Sequence, residues 1–261
     1  MNPNPKNSTH RAFACLFGPA LMLATALPAQ VITTTGFDYS TGKYGGTNST
    51  NILYIPFMGE YKIADDWALK VTVPYIRISG PVNVFPNLGS VGTPTQTSST
   101  TQSGLGDVVT SVTHDFYYDK TSGLLIGATG KVKFGTASRA RGLGTGKNDT
   151  MLQLDVADSL GDWTPFASVG YRVLGKPPGI ELQNGFYGSA GATYKLAPAT
   201  SVGASIDLKQ KSTTTGSSLA ELSGFVSHRL DGHWRMQGYV VAGLTKASPD
   251  VGCGGTIGYS F

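Results

Sequence analysis

From about Val31 onward, apolar and polar residues alternate with a period of two, in runs of strand length separated by turn residues. Successive side chains of an extended strand point to opposite faces, so each run carries one apolar face and one polar face. Between Leu124 and Phe134, one face holds Leu124, Ile126, Ala128, Gly130, Val132 and Phe134, and the other holds Leu125, Gly127, Thr129, Lys131 and Lys133. The same rule sets Leu152, Leu154 and Val156 against Gln153 and Asp155. It sets Val202, Ala204, Ile206 and Leu208 against Ser201, Gly203, Ser205, Asp207 and Lys209. Leu222, Gly224, Val226 and Leu230 likewise oppose Glu221, Ser223, Ser227 and Arg229.

The links between the runs narrow the architecture. Short turns fall near Ala64-Asp65-Asp66, Asp119-Lys120-Thr121, Gly161-Asp162, Ala197-Pro198-Ala199 and Asp231-Gly232-His233. Longer polar links fall near residues 43–50, 81–104, 137–149, 176–184, 213–218 and 248–250. Short turns at one end and long loops at the other are the arrangement of an outer-membrane barrel. The pattern predicts an all-β fold, a transmembrane antiparallel up-and-down β-barrel of about 12 strands with both chain ends on the short-turn side. Trp67, Trp163 and Trp234 each follow directly on a short turn. There an indole places its ring in lipid and its N–H near water, so the three are expected to form an interface girdle. The last run alternates Val251, Cys253, Gly255, Ile257, Tyr259 and Phe261 with small residues. Its aromatic ending, Tyr259 and Phe261, resembles the C-terminal signal that outer-membrane proteins present to their insertion machinery.

Composition agrees. Charged residues are only 14% of the 261-residue chain, against roughly 25% in soluble domains. The 35 glycines are about twice their usual share. Lys6 and Arg11 precede an apolar run from Ala12 to Leu27, and Leu27-Pro28-Ala29 offers a small residue for cleavage before Gln30. That is the layout of a secretory signal peptide. It predicts a leader over 1–29, an outer-membrane barrel over 30–261 and export through the periplasm. Beyond the leader no run reaches the roughly 18 consecutive apolar residues of a transmembrane helix. Cys253 is then the lone cysteine, so no intramolecular disulfide is expected. The formal charge of +4 falls to about +2 without Lys6 and Arg11, too balanced for a nucleic-acid partner.

Three glycine-rich pieces resemble a family of outer-membrane transporters linked to a meta-cleavage pathway of phenol degradation. They are Gly104-Leu105-Gly106-Asp107-Val108, Gly130-Lys131-Val132-Lys133-Phe134-Gly135-Thr136 and Gly142-Leu143-Gly144-Thr145-Gly146. Phe134-Gly135-Thr136 stands where Pro-Thr-Gly is commoner, and Asn148-Asp149 falls slightly late. The resemblance covers roughly Gly104 to the C-terminus. It implies a barrel of about 12 strands and a transport role, with an aromatic or other hydrophobic compound among the solutes.

If the apolar faces meet lipid, the polar faces line the lumen. The lumen candidates are Glu60, Lys70, Asp107, Asp115, Lys131, Lys133, Gln153, Asp155, Arg172, Asp207, Lys209, Glu221, Arg229 and Arg235, with Asp38, Lys62 and Gln237 on the same faces. Folding about the turns brings Glu60 opposite Lys70, Lys131 near Gln153, and Lys209 and Lys211 near Glu221, where opposite charges attract. Such residues either line a conducting pore or pair with one another and fill the interior, and 12 strands lie between the narrow and the open barrels. Lys131 and Lys133 lie beneath Arg139, Arg141 and Lys147, a cluster suited to drawing anions inward or to binding outer-leaflet phosphates. The uncharged stretch from Val82 to Gly104 is either an in-folded constriction or a surface loop.

Catalysis is the weaker reading. Gly142 to Lys147 is one residue short of a phosphate loop, and Asn148 stands where Ser or Thr is needed. His114 and His228, the histidines on strands, fall by parity on the lipid face. No metal or cofactor motif is present. The expected partners are outer-membrane lipid and lipopolysaccharide, the barrel-insertion machinery and a small-molecule solute.

Overall fold

A computed structural model of the chain describes residues 12–15, 19–22, 31–46, 48–80, 84–85, 89–90 and 100–261. Lys6, Arg11 and the cleavage region from Ala24 to Gln30 lie outside the described residues. So does most of the 82–104 stretch, although its last residues, from Thr100, already run as strand.

Twelve antiparallel strands follow in chain order: β1 (Val31–Gly42), β2 (Thr50–Ala64), β3 (Trp67–Gly80), β4, β5 (Leu125–Lys133), β6 (Asp149–Ala157), β7 (Trp163–Val173), β8 (Gly185–Ala197), β9 (Thr200–Lys209), β10 (Leu219–Arg229), β11 (Trp234–Gly243) and β12 (Val251–Ser260). Strand β4 comes in two segments, Thr100–Leu105 and Val109–Tyr118, both paired to β3. Each strand pairs with its neighbour in sequence, and β12 pairs back to β1 from Val251↔Thr41 to Ser260↔Ile32. The sheet is therefore a closed up-and-down barrel, and only the first segment of β4, paired to β3 alone, keeps one side open.

Burial is inverted relative to a soluble domain. Along β6 the inward Gln153 and Asp155 are 2% and 5% exposed, while Leu152 and Leu154 are 63% and 51% exposed on the outer surface. Phe57, Val169, Phe186, Val226 and Val240 extend the same outer apolar surface around the barrel. An apolar belt of that extent is unfavourable in water and favourable against acyl chains.

The glycines serve the inner wall. At Gly170 an added Cβ would lie 2.4 Å from the Tyr187 ring, and at Gly254 it would lie 2.4 Å from that of Tyr239. Inward aromatic rings lie flat on neighbouring strands only because those positions carry no side chain. The break in β4 has a similar cause. At Gly106 a Cβ would meet Ile76 and Pro74, so the backbone there packs tightly on β3 and Asp107 is turned toward the interior.

The short turns are set by aspartates. Asp231 Oδ1 accepts the backbone N–H groups of His233 and Trp234, each at 2.7 Å, and Asp119 accepts Thr121 N at 2.8 Å and Ser122 Oγ at 2.9 Å. These bonds stabilise the charged carboxylate and hold both groups below the ordinary value of 3.8. A carboxyl depressed in the folded state adds stability above its unfolded pKa and loses it as pH falls through the folded value. Asp231→Ala is therefore expected to lower the denaturation midpoint at neutral pH, with the difference from the wild type shrinking as pH falls below the ordinary carboxylate range, measured by urea titration of refolded protein.

Candidate functional site: the barrel interior

The inward side chains form two unlike walls around a cavity of about 180 Å³. One wall is apolar. Tyr44, Ile52, Tyr54, Ile76, Ile78, Ala137 and Leu143 pack as a single buried cluster on the inner faces of β2 and β3, toward the long-loop end. Leu143 is 2% and Ile76 3% exposed. Here both faces of a strand are apolar, since Phe57, Val73 and Tyr75 point outward from the same segments. The rule that apolar residues meet only lipid fails over this half of β2 and β3. The legible signal is the near-unbroken apolar run Ile52-Leu53-Tyr54-Ile55-Pro56-Phe57-Met58. A strand that is apolar on both faces must pack against something on each.

The other wall is charged. Lys133 Nζ lies 2.8 Å from Asp107 Oδ2 and 3.0 Å from Asp149 Oδ2, so one ammonium bridges two carboxylates. Lys131 Nζ donates to Gln153 Oε1 at 2.9 Å and sits 6.0 Å from the centroid of the Tyr187 ring, within range of a cation–π contact. Gln153 Nε2 in turn donates to Asp155 Oδ1. Arg172 Nη2 donates to the Gln210 carbonyl and to Ser212 Oγ. Asp38 accepts the Tyr239 hydroxyl at 2.7 Å.

The expected pairings form in different ways. Glu60 and Lys70 face each other with N···O 3.5 Å. Across β9 and β10, however, the register sets Asp207 directly opposite Glu221 and Lys209 opposite Leu219. Lys209 lies near enough to attract both acids, as expected for Glu221, whereas Lys211 turns away to the Thr214 carbonyl. The link between these strands is long enough to allow more than one register, and the β9–β10 ladder selects this one. Toward the short-turn end Arg229 faces Arg235 across β10 and β11, and Arg229 Nη2 is held by the Pro198 carbonyl at 3.0 Å. Asp115 lies over Gly127, where β5 bulges against β4.

The two arginines on the long loop are structural ties. Arg139 Nη2 donates to the Pro178 carbonyl at 2.7 Å and Arg141 Nη1 to the Ser103 carbonyl at 3.1 Å, joining three neighbouring segments at the long-loop end.

At the short-turn end the outer face is aromatic. Trp67, Trp163 and Trp234 are 40%, 55% and 40% exposed. Trp163 packs on Tyr194 and Trp234 on Tyr259, each at 4.9 Å, and Tyr259 on Phe261 at 4.9 Å. His114 stacks on Trp67 at 4.2 Å with its Nδ1 3.5 Å from Asp66 Oδ2, and His228 Nδ1 contacts Thr200 Oγ1 at 2.9 Å. Among the described residues no group of three His, Cys, Asp or Glu side chains is arranged to hold a metal ion.

Neither a known protein family nor a curated protein sequence matches the chain. Solved structures do match its fold. An outer-membrane channel from Pseudomonas putida F1 superposes with a TM-score of 0.71 at 15% identity, over 90% of this chain and 97% of that one. The NanC porin superposes at 0.54 with 10% identity, over 88% and 98% of the two chains. The P. putida toluene transporter TodX reaches 0.50 with 11% identity, over 90% and 91%. By fold, then, this chain is a transmembrane up-and-down β-barrel of twelve strands, similar in architecture to the outer-membrane channel from Pseudomonas putida F1.

Proposed function

We propose that the chain is an outer-membrane channel that lets a small solute with an apolar, aromatic-sized body move down its gradient through the barrel. The observation that carries this reading is the apolar wall of Ile52, Tyr54, Ile76 and Leu143, set inside a lumen whose other lining is charged. A barrel that only anchors itself in lipid gains from apolar residues outside; an apolar strip in the interior provides contact for an apolar solute. The charged wall of Lys131, Lys133, Asp107, Asp149, Arg172, Asp207, Lys209 and Glu221 supplies a hydrated path and charge preference beside it. The similarity to the P. putida F1 channel and to TodX supports the reading at the level of fold. The likeness of the glycine-rich pieces to transporters of phenol degradation points the same way.

In this reading the outward leucines and valines meet acyl chains, and Trp67, Trp163 and Trp234 sit at the periplasmic headgroups. Lipopolysaccharide meets the long-loop end, and Tyr259 with Phe261 addresses the insertion machinery. Cleavage near Ala29 leaves Gln30 at the mature N-terminus, which N-terminal sequencing of outer-membrane fractions would read.

Conductance tests the proposal. Refolded protein in planar bilayers is expected to give discrete single-channel currents. Lys131→Glu replaces a positive lining charge by a negative one and is expected to move the reversal potential toward cation preference. A filled interior is favoured by the close pairing of Lys133 with two carboxylates and of Lys131 with Gln153. Folded protein that passes no current, with or without aromatic solutes, would establish that alternative.

A further inference from the structure

The link between β5 and β6, residues 134–148, turns inward across the top of β4 and rests on the inner faces of β2 and β3, where Leu143 joins the buried cluster with Ile52, Tyr54 and Ile76. Leu143, Gly144 and Thr145 line the cavity from this link.

The insert is held at each part of its length. At its base Gly135 N donates to Asn148 Oδ1 at 2.9 Å, closing the two ends. On its ascending side Asp107 Oδ1 accepts Ala137 N at 2.9 Å, while the other oxygen of the same carboxylate holds Lys133. A single 3₁₀ turn, Arg139–Arg141, ends at Gly142, whose φ of 70° and N–H bond to the Arg139 carbonyl reverse the chain. Leu143 N then returns to the Ser138 carbonyl at 3.1 Å. Gly144 packs so closely that a Cβ would come within 2.9 Å of both Asp107 carboxylate oxygens and 2.8 Å of Ala137 Cβ. Arg139 and Arg141 tie the outer side to the Pro178 and Ser103 carbonyls. A link bound at so many points, and turned by a left-handed glycine, presents Leu143 at a defined depth in the lumen.

We propose that this insert is the constriction that sets the size of the passing solute, with Leu143 as the size-determining side chain and Asp107, Lys133 and Asp149 as positioning residues. The inference rests on the channel reading. Leu143 packs into the apolar wall and lines the cavity beside Ile52, Tyr54 and Ile76, so the insert that carries it thickens that wall and takes up part of the lumen. The hydrogen bonds fix the backbone independently of this side chain, so shortening it opens space that the insert does not collapse to fill.

The test uses the full mature chain in planar bilayers and in liposome swelling with neutral sugars of increasing size. Folding is checked by heat-modifiable migration on gels. Leu143→Ala is expected to raise single-channel conductance about twofold and to admit larger sugars, while Leu143→Trp lowers both. Gly144→Val, which forces the insert away from Asp107, is expected to raise conductance although Leu143 is kept. A conducting wild type whose folded Leu143→Ala and Gly144→Val variants show the same current and sugar cutoff overturns the assignment and leaves the channel reading standing. A silent wild type with a conducting Leu143→Ala supports the insert as the obstruction. If wild type and all variants are silent, the channel reading fails and the assignment fails with it.

Discussion

Leu154→Arg is expected to destabilise the barrel by about 2–4 kcal/mol in phospholipid bilayers, the cost of a basic side chain on the lipid face near the midplane. Leu154 lies midway along β6, points outward at 51% exposure, and is flanked by Ala128 and Val169 on the adjacent strands. Neither neighbour offers a hydrogen-bond acceptor, so the guanidinium must snorkel to reach water or headgroups. The same substitution at Leu196, outward and 63% exposed beside the turn between β8 and β9, is expected to cost about 1 kcal/mol or less, because the penalty falls steeply toward the interface. Urea unfolding of vesicle-inserted protein, followed by tryptophan emission, measures both. Equal costs at the two positions, or none at Leu154, would show that this surface does not contact hydrocarbon, and the channel reading would go with it.

Lys133→Met is expected to cost about 3–5 kcal/mol, the usual consequence of removing one partner from a buried ionic group. The side chains of Lys133, Asp107 and Asp149 are 15%, 11% and 6% exposed, so solvent screens them little. Without the ammonium, two carboxylates face each other with only the more distant Arg172 guanidinium to offset Asp149. Both also have backbone duties: Asp107 accepts Ala137 N, and Asp149 Oδ1 accepts Gly175 N at 2.9 Å. The damage should therefore reach the β5–β6 insert and the β7–β8 link together. Adding Asp107→Asn and Asp149→Asn to Lys133→Met is expected to recover much of the loss, since the neutral amides still accept those N–H bonds and carry no charge to repel. The same urea titration reads the single and triple variants. A triple variant no more stable than the single one would mean that shape, rather than charge, holds the node.

The residues differ in how far they can be read from the chain alone. Glu60 opposite Lys70 follows from counting outward from the turn at Asp65 and Asp66, because so short a turn allows few registers. Asp207 opposite Glu221 does not follow, because the link at 213–218 permits several offsets and the β9–β10 ladder chooses among them. The in-folded path of residues 134–148 is likewise invisible in alternation. It depends on Asp107, thirty residues before Ala137, reaching that N–H. The long uncharged stretch at 82–104 draws attention as a constriction candidate, yet among the described residues it is the glycine-rich β5–β6 link that enters the lumen. The inner apolar wall hides for a related reason. Period two separates a strand's two faces, and over the long-loop half of β2 and β3 both are apolar, so parity there carries no information about which one meets solvent, lipid or protein.

By itself the sequence determined the strands, their even number, the alternation of short turns and long loops, and which face of most strands is greasy. Those features arise from neighbours one or two residues apart, where backbone geometry dictates the outcome. The tertiary structure decided the closure of β12 on β1, the placing of Asp207 opposite Glu221 with Lys209 beside both, the bridging of Asp107 and Asp149 by Lys133, and the descent of Leu143 into the lumen. Each of these joins residues far apart in the chain. Their meeting is fixed only when the sheet curls shut and brings its inner faces around one enclosed space.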